Sequence, residues 1–330
     1  MRILVSLVAV LIAVLIAQIG VGVLGWHTVF GVAVPYVAAA VFVVGVTARI
    51  LGWARSPVPF RIPTTCGQQK SLPWIKQARI ENPSTTAGVI ARMALEVLCF
   101  RSLFRNTRTQ LVDGRLSYPS NKWLWAAGLA FHYSFLLVVL RHLRFFTEPV
   151  PGFVVALTRL DGFFTVGLPV VYATTGLFLG ALAFLFVRRA SSPQLRYLSL
   201  PADYFPLLLL LAIGLSGAWL RHVSKIDVPA VKAMVMGLVH FSPRPAEGLG
   251  TVFYVHLFLV STLLAYFPFS KLVHMAGVFM SPTRNLTANS REVRHVNPWN
   301  RPLPLHTYDE YEDEFRDRMK GAGLPVEKEA

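Results

Sequence analysis

Four histidines in apolar segments are the residues of this sequence best placed to do chemistry. His132 and His142 lie ten residues apart in one apolar run, and His256 and His274 lie eighteen apart around another. An imidazole in hydrocarbon is costly, so a histidine inside a membrane-spanning segment is a functional candidate. Histidine is also a common axial ligand of haem iron. Two antiparallel helices that each carry two histidines therefore predict the axial ligands of two haems.

Six long apolar runs predict the elements that position these histidines. The chain is 54% hydrophobic and 15% charged, and each run approaches the roughly 20 residues that a helix needs to cross a bilayer. The runs are residues 3–24, 29–48, 123–140, 163–187, 204–220 and 252–269. They lack the alternation of barrel strands, and the first is too long and uniformly apolar for a cleaved signal peptide. The predicted fold class is an all-α membrane protein with six transmembrane helices.

The distribution of basic residues predicts the orientation in the membrane. With six spans, both termini share one side, which carries 25 of the 32 Lys and Arg residues and leaves 7 on the other. Because basic flanks stay in the cytoplasm, both termini are expected on the cytoplasmic side of the inner membrane. The net charge of +15 is then a topology signal with some attraction to anionic membrane lipid, and a nucleic-acid partner is not expected.

The two cysteines limit how a haem can be held. Cys66 and Cys99 both lie in the second, cytoplasmic connection, and they form no C-x-x-C pair. A disulfide or a zinc site is therefore not expected there. The sequence also lacks C-x-x-C-H, the signal of covalent haem attachment, so any haem should be b-type.

Helix geometry allows two pairings of the histidines. Antiparallel packing pairs His142 with His256. It then pairs His132 with His274, whereas depth alone would pair His132 with His256. Eighteen residues make five whole turns of a continuous helix, and ten residues leave two side chains about 80° apart. The corresponding rises are about 27 and about 15 Å, so tilt, haem orientation or a kink near Pro268 must absorb the difference.

Basic neighbours of the histidines favour haem. Arg141 and Arg144 flank His142, and Lys271 precedes His274 by three residues, so these three cations could bind haem propionates through charge-assisted hydrogen bonds. They could equally be interfacial residues that extend their charges into water. The corresponding alternative for the histidines is interhelical hydrogen bonding in an ordinary bundle.

The two spacings, on an outward helix and a later inward helix, resemble those of the NarI-like family, the dihaem cytochrome b subunits of respiratory nitrate reductase. The resemblance covers about residues 120–275. It implies that His132 and His274 bind the inner haem and that His142 and His256 bind the outer haem.

A more specific resemblance is to the DsrM type of this family, from the DsrMKJOP complexes of dissimilatory sulfur metabolism. It rests on residues 65–74 (TCGQQKSLPW), 92–98 (RMALEVL), 100–107 (FRSLFRNT) and 311–316 (YEDEFR). It implies menaquinone as redox substrate and a link to sulfite reduction. The partners it implies are a cytoplasmic DsrK-like iron–sulfur subunit related to heterodisulfide reductases, a DsrJ-like multihaem cytochrome, a DsrO-like ferredoxin and a DsrP-like membrane subunit.

Four segments organise the chain in this interpretation. They are an N-terminal transmembrane hairpin (1–52), a cytoplasmic loop with an amphipathic interfacial helix (53–120), the NarI-like dihaem core (121–275) and a cytoplasmic tail (276–330). The helix within the loop, at residues 88–107, could lie on the inner leaflet or form the floor for a docked soluble subunit.

A quinone site is expected at the outer haem, because quinol oxidation there releases protons outside while electrons move inward. The candidate residues are Arg144 to hold a quinone oxygen, Glu148 or Asp161 to accept a proton, and His222 as a proton relay. These are also ordinary loop charges. A different class of function, a haem-free proton-coupled transporter or scaffold, would use the buried histidines as a relay. The six apolar runs contain no Asp or Glu, which disfavours a carrier.

Overall fold

The computed structural model describes residues 1–56, 58, 67–166, 171–243, 248–291, 302 and 304–328. Within these ranges, six helices are long and apolar enough to span a membrane, and the predicted all-α membrane fold is confirmed. They are α1 (Arg2–Gly22), α2 (Val34–Ala54, after a π-helix at Val29–Ala33), α5 (Lys122–His142), α7 (Ala173–Ser191), α9 (Pro201–Ala218, followed by a π-helix at Trp219–Val223) and α11 (Thr251–Tyr266).

The shorter elements lie between and after these six helices. The helices are α3 (Thr86–Cys99), α4 (Arg101–Phe104), α6 (Gly152–Phe163), α8 (Pro193–Leu198), α10 (Val228–Val239), α12 (His274–Gly277) and α13 (Tyr308–Gly321). The strands form two antiparallel hairpins, β1 (Gln110–Val112) with β2 (Arg115–Ser117) and β3 (Thr165–Val166) with β4 (Val171–Tyr172). Gln110 pairs with Ser117 in the first hairpin, and Thr165 pairs with Tyr172 in the second.

Local sequence signals begin several helices. The side chain of Thr85 accepts the N–H of Gly88 at the start of α3, and that of Asp227 accepts the N–H of Ala230 at the start of α10. Such caps satisfy backbone donors that a first helical turn leaves without intrahelical partners. In α9 a proline occupies the first turn, where its missing N–H costs nothing.

The fourth apolar run does not form one helix as predicted. Residues 163–187 were expected to span, but α6 ends at Phe163, the β3–β4 hairpin comes next, and the spanning helix begins at Ala173. Thr165, Val166 and Val171 are β-branched and fit a strand as well as they fit an apolar helix. Hydrophobicity alone therefore set the start of this span ten residues too early.

The sixth run breaks where the sequence allowed a kink. After Tyr266 the chain forms a 3₁₀ turn at Phe267–Phe269, becomes extended at Ser270 and forms another 3₁₀ turn at Lys271–Val273. Pro268 lacks the N–H that would continue the helix. His256 and His274 therefore do not share one continuous helix, and the argument from five whole turns does not apply.

Packing arranges the spanning helices around α9 and α11. α5 packs on α7, α7 on α9, and α9 on α11, while α1 packs on both α9 and α11, and α2 packs on α11. In the described part of the chain, α5 and α11 are not among the closely packed pairs.

The bundle has an inner and an outer face. The inner face is the one on which α1 begins and α11 ends, and the outer face is the opposite one. The predicted interfacial helix forms as α3 and α4, which contact the middle of α5 through Phe100 and its inner end through Phe104. Cys66 lies outside the described residues.

Candidate functional site

His132 and His274, the inner pair, lie side by side. Their ring centroids are 6.1 Å apart and their ring planes are nearly perpendicular, at 85°. Two imidazoles bound to opposite sides of one metal ion, with metal–nitrogen bonds of about 2.0–2.1 Å, would have centroids about 6 Å apart. The separation of the inner pair fits a shared metal. The break after α11 makes this approach possible, because it releases His274 from the direction of the helix before it.

Three of the four histidines point the same ring nitrogen at a backbone carbonyl. The carbonyls of Gly128, Val138 and Lys271 lie 2.7, 2.7 and 2.8 Å from Nδ1 of His132, His142 and His274. A carbonyl can only accept, so Nδ1 must carry the proton and Nε2 keeps its lone pair. Metal-binding histidines show this arrangement because it fixes the tautomer and the ring orientation. The same bond joins His240 to Met236 at 2.9 Å, so it permits metal binding without marking a ligand by itself.

His256 is oriented by a side chain instead. Its Nδ1 lies 2.9 Å from Oγ of Ser216 in α9, and that Oγ lies 2.8 Å from the carbonyl of Ala212. A serine hydroxyl that donates to the Ala212 carbonyl can accept the Nδ1–H of His256, which would leave Nε2 with its lone pair. A Cβ on Gly217 would lie 3.1 Å from Cε1 of His256, so glycine there lets α9 approach the ring.

His142 and His256, the outer pair, lie towards the outer face. His142 is the last residue of α5, and its ring centroid is 5.8 Å from that of Phe145. His256 is the sixth residue of α11, the helix that begins on the outer face, so the two histidines lie at the same end of the bundle. Their placement on the same face agrees with antiparallel pairing of the two helices.

The histidines offer a donor set suited to haem rather than to a multi-ligand metal site. Within the described ranges, no group of three or more His, Cys, Asp or Glu side chains could hold a metal ion. Structural zinc needs four protein ligands and catalytic zinc needs three. Two facing neutral imidazoles could ligate one haem iron, because the macrocycle supplies the other four donors.

The predicted propionate residues lie in different surroundings. Arg141 forms an ion pair with Asp161, and the two side chains are only 13% and 6% exposed. Lys271 pairs with Asp203 through Nζ and Oδ1 at 2.6 Å. Arg144 forms no ion pair with any described residue, and its guanidinium lies 5.8 Å from the ring centroid of Phe145.

The four predicted quinone-site residues do not form one cluster. Glu148 is exposed and pairs with Lys232 of α10. Asp161 is buried in α6, where it binds Arg141 and also accepts the hydroxyl of Thr174 at 2.5 Å. His222 lies elsewhere on the outer face, in a π-helix after α9.

Tyr172 connects Arg141, a predicted propionate residue, with His222, a predicted quinone-site residue, and Tyr172 itself was not predicted. The guanidinium of Arg141 lies 4.8 Å from the centroid of its ring, and the ring of His222 meets it edge-on at 5.1 Å. Arg221 donates to the Tyr172 hydroxyl at 2.7 Å. No sequence signal distinguishes Tyr172, because it lies in an apolar run and joins these residues only through tertiary packing.

A cavity of about 330 Å³ opens beside this cluster on the outer face. Its lining consists of Tyr172, Leu220, Arg221, His222, Lys225 and Ile226. Part of the wall is the π-helix Trp219–Val223, and such local widening of a helix often occurs at functional sites. The cavity combines aromatic, cationic and imidazole groups, which suits a flat polar head with oxygen acceptors.

Comparison with known proteins shows what the chain is similar to. Residues 89–295, which include both histidine pairs, match the family model of the nitrate reductase gamma subunit. The chain is 49% identical over 278 residues to the Hdr-like menaquinol oxidoreductase cytochrome b-like subunit of Archaeoglobus fulgidus, with 82% of this chain and 83% of that relative covered. It is 42% identical over 282 residues to the subunit of the same name from Archaeoglobus profundus, with 83% and 84% covered.

Proposed function

This chain belongs to the nitrate reductase gamma subunit family, and we propose that it is the cytochrome b subunit of a membrane-bound menaquinol oxidoreductase, with two b haems. It links menaquinol or menaquinone to an iron–sulfur subunit on the cytoplasmic side. The relatives carry menaquinol oxidoreductase in their names. At 49% identity over most of both chains, the same activity is the natural proposal for this one.

The inner pair is the observation that carries the proposal. Its 6.1 Å centroid separation fits two axial ligands of one iron, and both Nδ1 atoms are held by carbonyls. We assign the outer pair to a second haem, supported by the Ser216 hydrogen bond that orients the ring of His256. Bound haem supplies one-electron transfer, while the protein supplies ligands, orientation and dielectric.

The three basic residues near the histidine pairs would contribute differently to the binding of haem propionates. Arg144 lies two residues after His142, outside any ion pair with a described residue, so it is the propionate ligand we favour at the outer pair. Arg141 and Lys271 already neutralise carboxylates. Each would share its positive charge between that carboxylate and a propionate, rather than form a hydrogen bond to the propionate alone.

The quinone site is proposed at the outer face, in the cavity beside Tyr172 and His222. Arg221 donates to the Tyr172 hydroxyl, which leaves the phenol proton available for a quinone oxygen. His222 is the proposed proton relay. Arg144, Glu148 and Asp161 remain part of the proposal as surrounding charges. Outer placement releases protons outside while electrons cross inward to the inner pair.

The finer assignment is to the DsrM type, with DsrK-, DsrJ-, DsrO- and DsrP-like partners and a role in dissimilatory sulfur metabolism. The support for this assignment is sequence similarity in four separate segments. The iron–sulfur subunit would dock on the inner face, at the loop within 53–120 and the tail within 276–330. Both termini are placed in the cytoplasm by this proposal.

The tail has a form suited to docking. In α13 the carboxylate of Glu312 accepts the backbone N–H groups of Glu327 and Lys328 at 2.7 and 2.9 Å. These bonds lower the pKa of Glu312 below its ordinary value and keep the carboxylate charged. The ring centroids of Tyr311 and Phe315 lie 4.9 Å apart on the same helix, with the ring planes tilted at 45°, and Tyr311 is about half exposed. A helix that is stabilised by hydrogen bonds to the chain after it, and that carries an exposed aromatic side chain, is a suitable contact for a soluble subunit.

The test is haem content. The purified chain should hold two b haems by pyridine-haemochrome assay, and His→Ala at any member of the two pairs should remove or destabilise one, because the iron loses an axial ligand. His240→Ala is the matched control, since His240 also binds a carbonyl through Nδ1 but belongs to neither pair.

Two outcomes would reject the proposal. A folded preparation that binds no haem when haem is supplied would favour the haem-free transporter or scaffold. Haem loss in His240→Ala equal to that in the four variants would show that the pairs are not the ligands.

A further inference from the structure

Phe100 has an unusual backbone at the inner end of the bundle. It ends α3 and precedes α4 with φ 50° and ψ 46°, in the left-handed region that non-glycine residues seldom adopt. Strained residues of this kind persist only where surrounding contacts hold them, and they concentrate at functional sites. Glycine is the usual residue for such a helix end. The presence of phenylalanine at this position calls for an explanation, and the contacts of its ring supply one.

The ring of Phe100 contacts a proposed haem ligand. Its centroid lies 4.9 Å from that of His132, and the two planes are perpendicular. The ring of Phe131 lies 4.7 Å from the same imidazole. A Cβ on Gly128, one turn before His132, would lie 3.9 Å from Phe100 and 3.4 Å from Leu103, at ordinary van der Waals distance, so these two side chains lie directly against α5.

Two side chains of α5 hold the end of α3 in place. Trp125 donates its indole N–H to the carbonyl of Cys99 at 2.8 Å, and Tyr133 donates its hydroxyl to the carbonyl of Leu98 at 2.8 Å. The last carbonyls of a helix have no intrahelical partner, so these bonds satisfy them. They also fix Phe100, the next residue, at the level of His132.

The helices α3 and α4 together (residues 86–104, the α3–α4 unit) also contact the chain beyond His274. Arg92 donates to the carbonyl of Thr283 at 3.2 Å, and Glu96 pairs with Arg284 at 3.3 Å. Glu96 also accepts the backbone N–H and the hydroxyl of Ser102, at 3.1 and 2.7 Å. The unit thus connects α5 with the segment just beyond the inner pair.

A second carboxylate braces α4. Glu81 pairs with Arg101 at 2.8 Å and also with Arg105. Burial by itself raises the pKa of Glu81, but the hydrogen bonds and charges of the two arginines outweigh it and lower the pKa below its ordinary value. The brace is therefore charged at neutral pH.

We propose that Phe100 is a positioning residue for His132 and that the α3–α4 unit clamps the inner pair. The inference depends on the proposed function, because it assumes that the inner pair binds haem. The ring holds the imidazole plane of His132 near perpendicular to that of His274 and excludes water from its inner side. A drier ligand environment disfavours the more highly charged oxidised iron, and so raises the midpoint potential.

The experiment compares Phe100→Ala with Phe104→Ala in the full-length haem-loaded chain. Phe104 lies in the same unit, but its ring contacts Trp125 at 4.9 Å rather than a histidine. Redox titration should show a lower midpoint potential for one haem in Phe100→Ala, with the other haem unchanged. The electron paramagnetic resonance signal of that haem should also change, because it reports the angle between the two imidazole planes. Phe104→Ala should leave the midpoint potentials and the electron paramagnetic resonance signals as they are in the wild-type protein.

A second pair of variants keeps the test decisive if Phe100→Ala folds poorly. Phe100→Gly removes the ring but accepts the left-handed backbone, so it should fold and show the same shift. Phe100→Leu keeps an apolar side chain and should shift less. Folded Phe100→Ala or Phe100→Gly with both haem signals unchanged would overturn the inference, as would an equal shift in Phe104→Ala. Absence of haem from the unchanged protein would instead reject the proposed function.

Discussion

At the scale of single residues, the hydrogen bonds to the ring nitrogens decide whether these histidines can bind a metal. The positions of the histidines in the sequence could predict which of them are candidate ligands, because polar side chains are rare in apolar runs. They could not predict Ser216 as the partner of His256, since that bond joins α9 to α11 across 40 residues. Only the packed bundle brings the two side chains together.

Ser216→Ala should weaken haem binding at the outer pair. Without the hydroxyl, the Nδ1–H of His256 loses its acceptor, and loss of such a supporting bond typically costs about 10–100-fold in metal affinity. Haem retention can be measured by titrating a competing apo-haem protein. Ser134→Ala is the matched control, because Ser134 is also buried in a spanning helix and donates to the carbonyl of Ala130 at 2.6 Å, four residues earlier. Equal retention in the two variants would exclude a role for Ser216.

At the scale of elements, hydropathy by itself does not reveal where two of the apolar runs are interrupted, although a kink near Pro268 was among the predicted alternatives. The fourth and sixth apolar runs are hydrophobic throughout, yet one contains a hairpin and the other breaks at Pro268. Hydropathy measures preference for lipid, and it does not distinguish a helix from other conformations that bury their backbone in protein. The break matters for the site, because it brings His274 to His132.

The Arg141–Asp161 pair joins α5 to α6, and Asp161→Asn should destabilise the protein. Both side chains are buried, so removal of the carboxylate charge leaves an uncompensated guanidinium, at a cost of about 3–5 kcal/mol. Thermal unfolding in detergent should show a clear fall in melting temperature. Glu148→Gln is the control, because Glu148 is 65% exposed in its pair with Lys232 and exposed pairs contribute about 0–1 kcal/mol.

The same pair of variants separates a structural from a quinone-binding role. Slower haem reduction by a menaquinol analogue in Asp161→Asn, with an unchanged melting temperature, would contradict the structural role and favour direct contact with quinone. A lower melting temperature with normal reduction by the surviving protein would place Asp161 in the scaffold alone.

At the scale of the whole molecule, the six spanning helices and their charge asymmetry were predictable because the bilayer constrains both. Length and hydropathy define a span, and basic residues define its orientation. The α3–α4 unit was predicted only as an amphipathic helix, with lipid and protein left open as its contact. Its bonds to α5 and to residues 283 and 284 are tertiary, and helical periodicity does not encode them.

Orientation is tested by labelling Cys99, which is exposed at the end of α3 on the inner face. The chain has two cysteines, so Cys66→Ser leaves Cys99 as the single thiol. Because the predicted topology assigns 25 of the 32 basic residues to this side, the inner face should be cytoplasmic. A membrane-impermeant maleimide should then label Cys99 in inverted vesicles and leave it unlabelled in intact cells. Phe241→Cys, added after both native cysteines are changed to Ser, is the control, since Phe241 is 84% exposed on the outer face and should react in intact cells. Reversed labelling of the two positions would place the termini and the inner pair outside, and electrons leaving that pair could not reach a cytoplasmic iron–sulfur subunit.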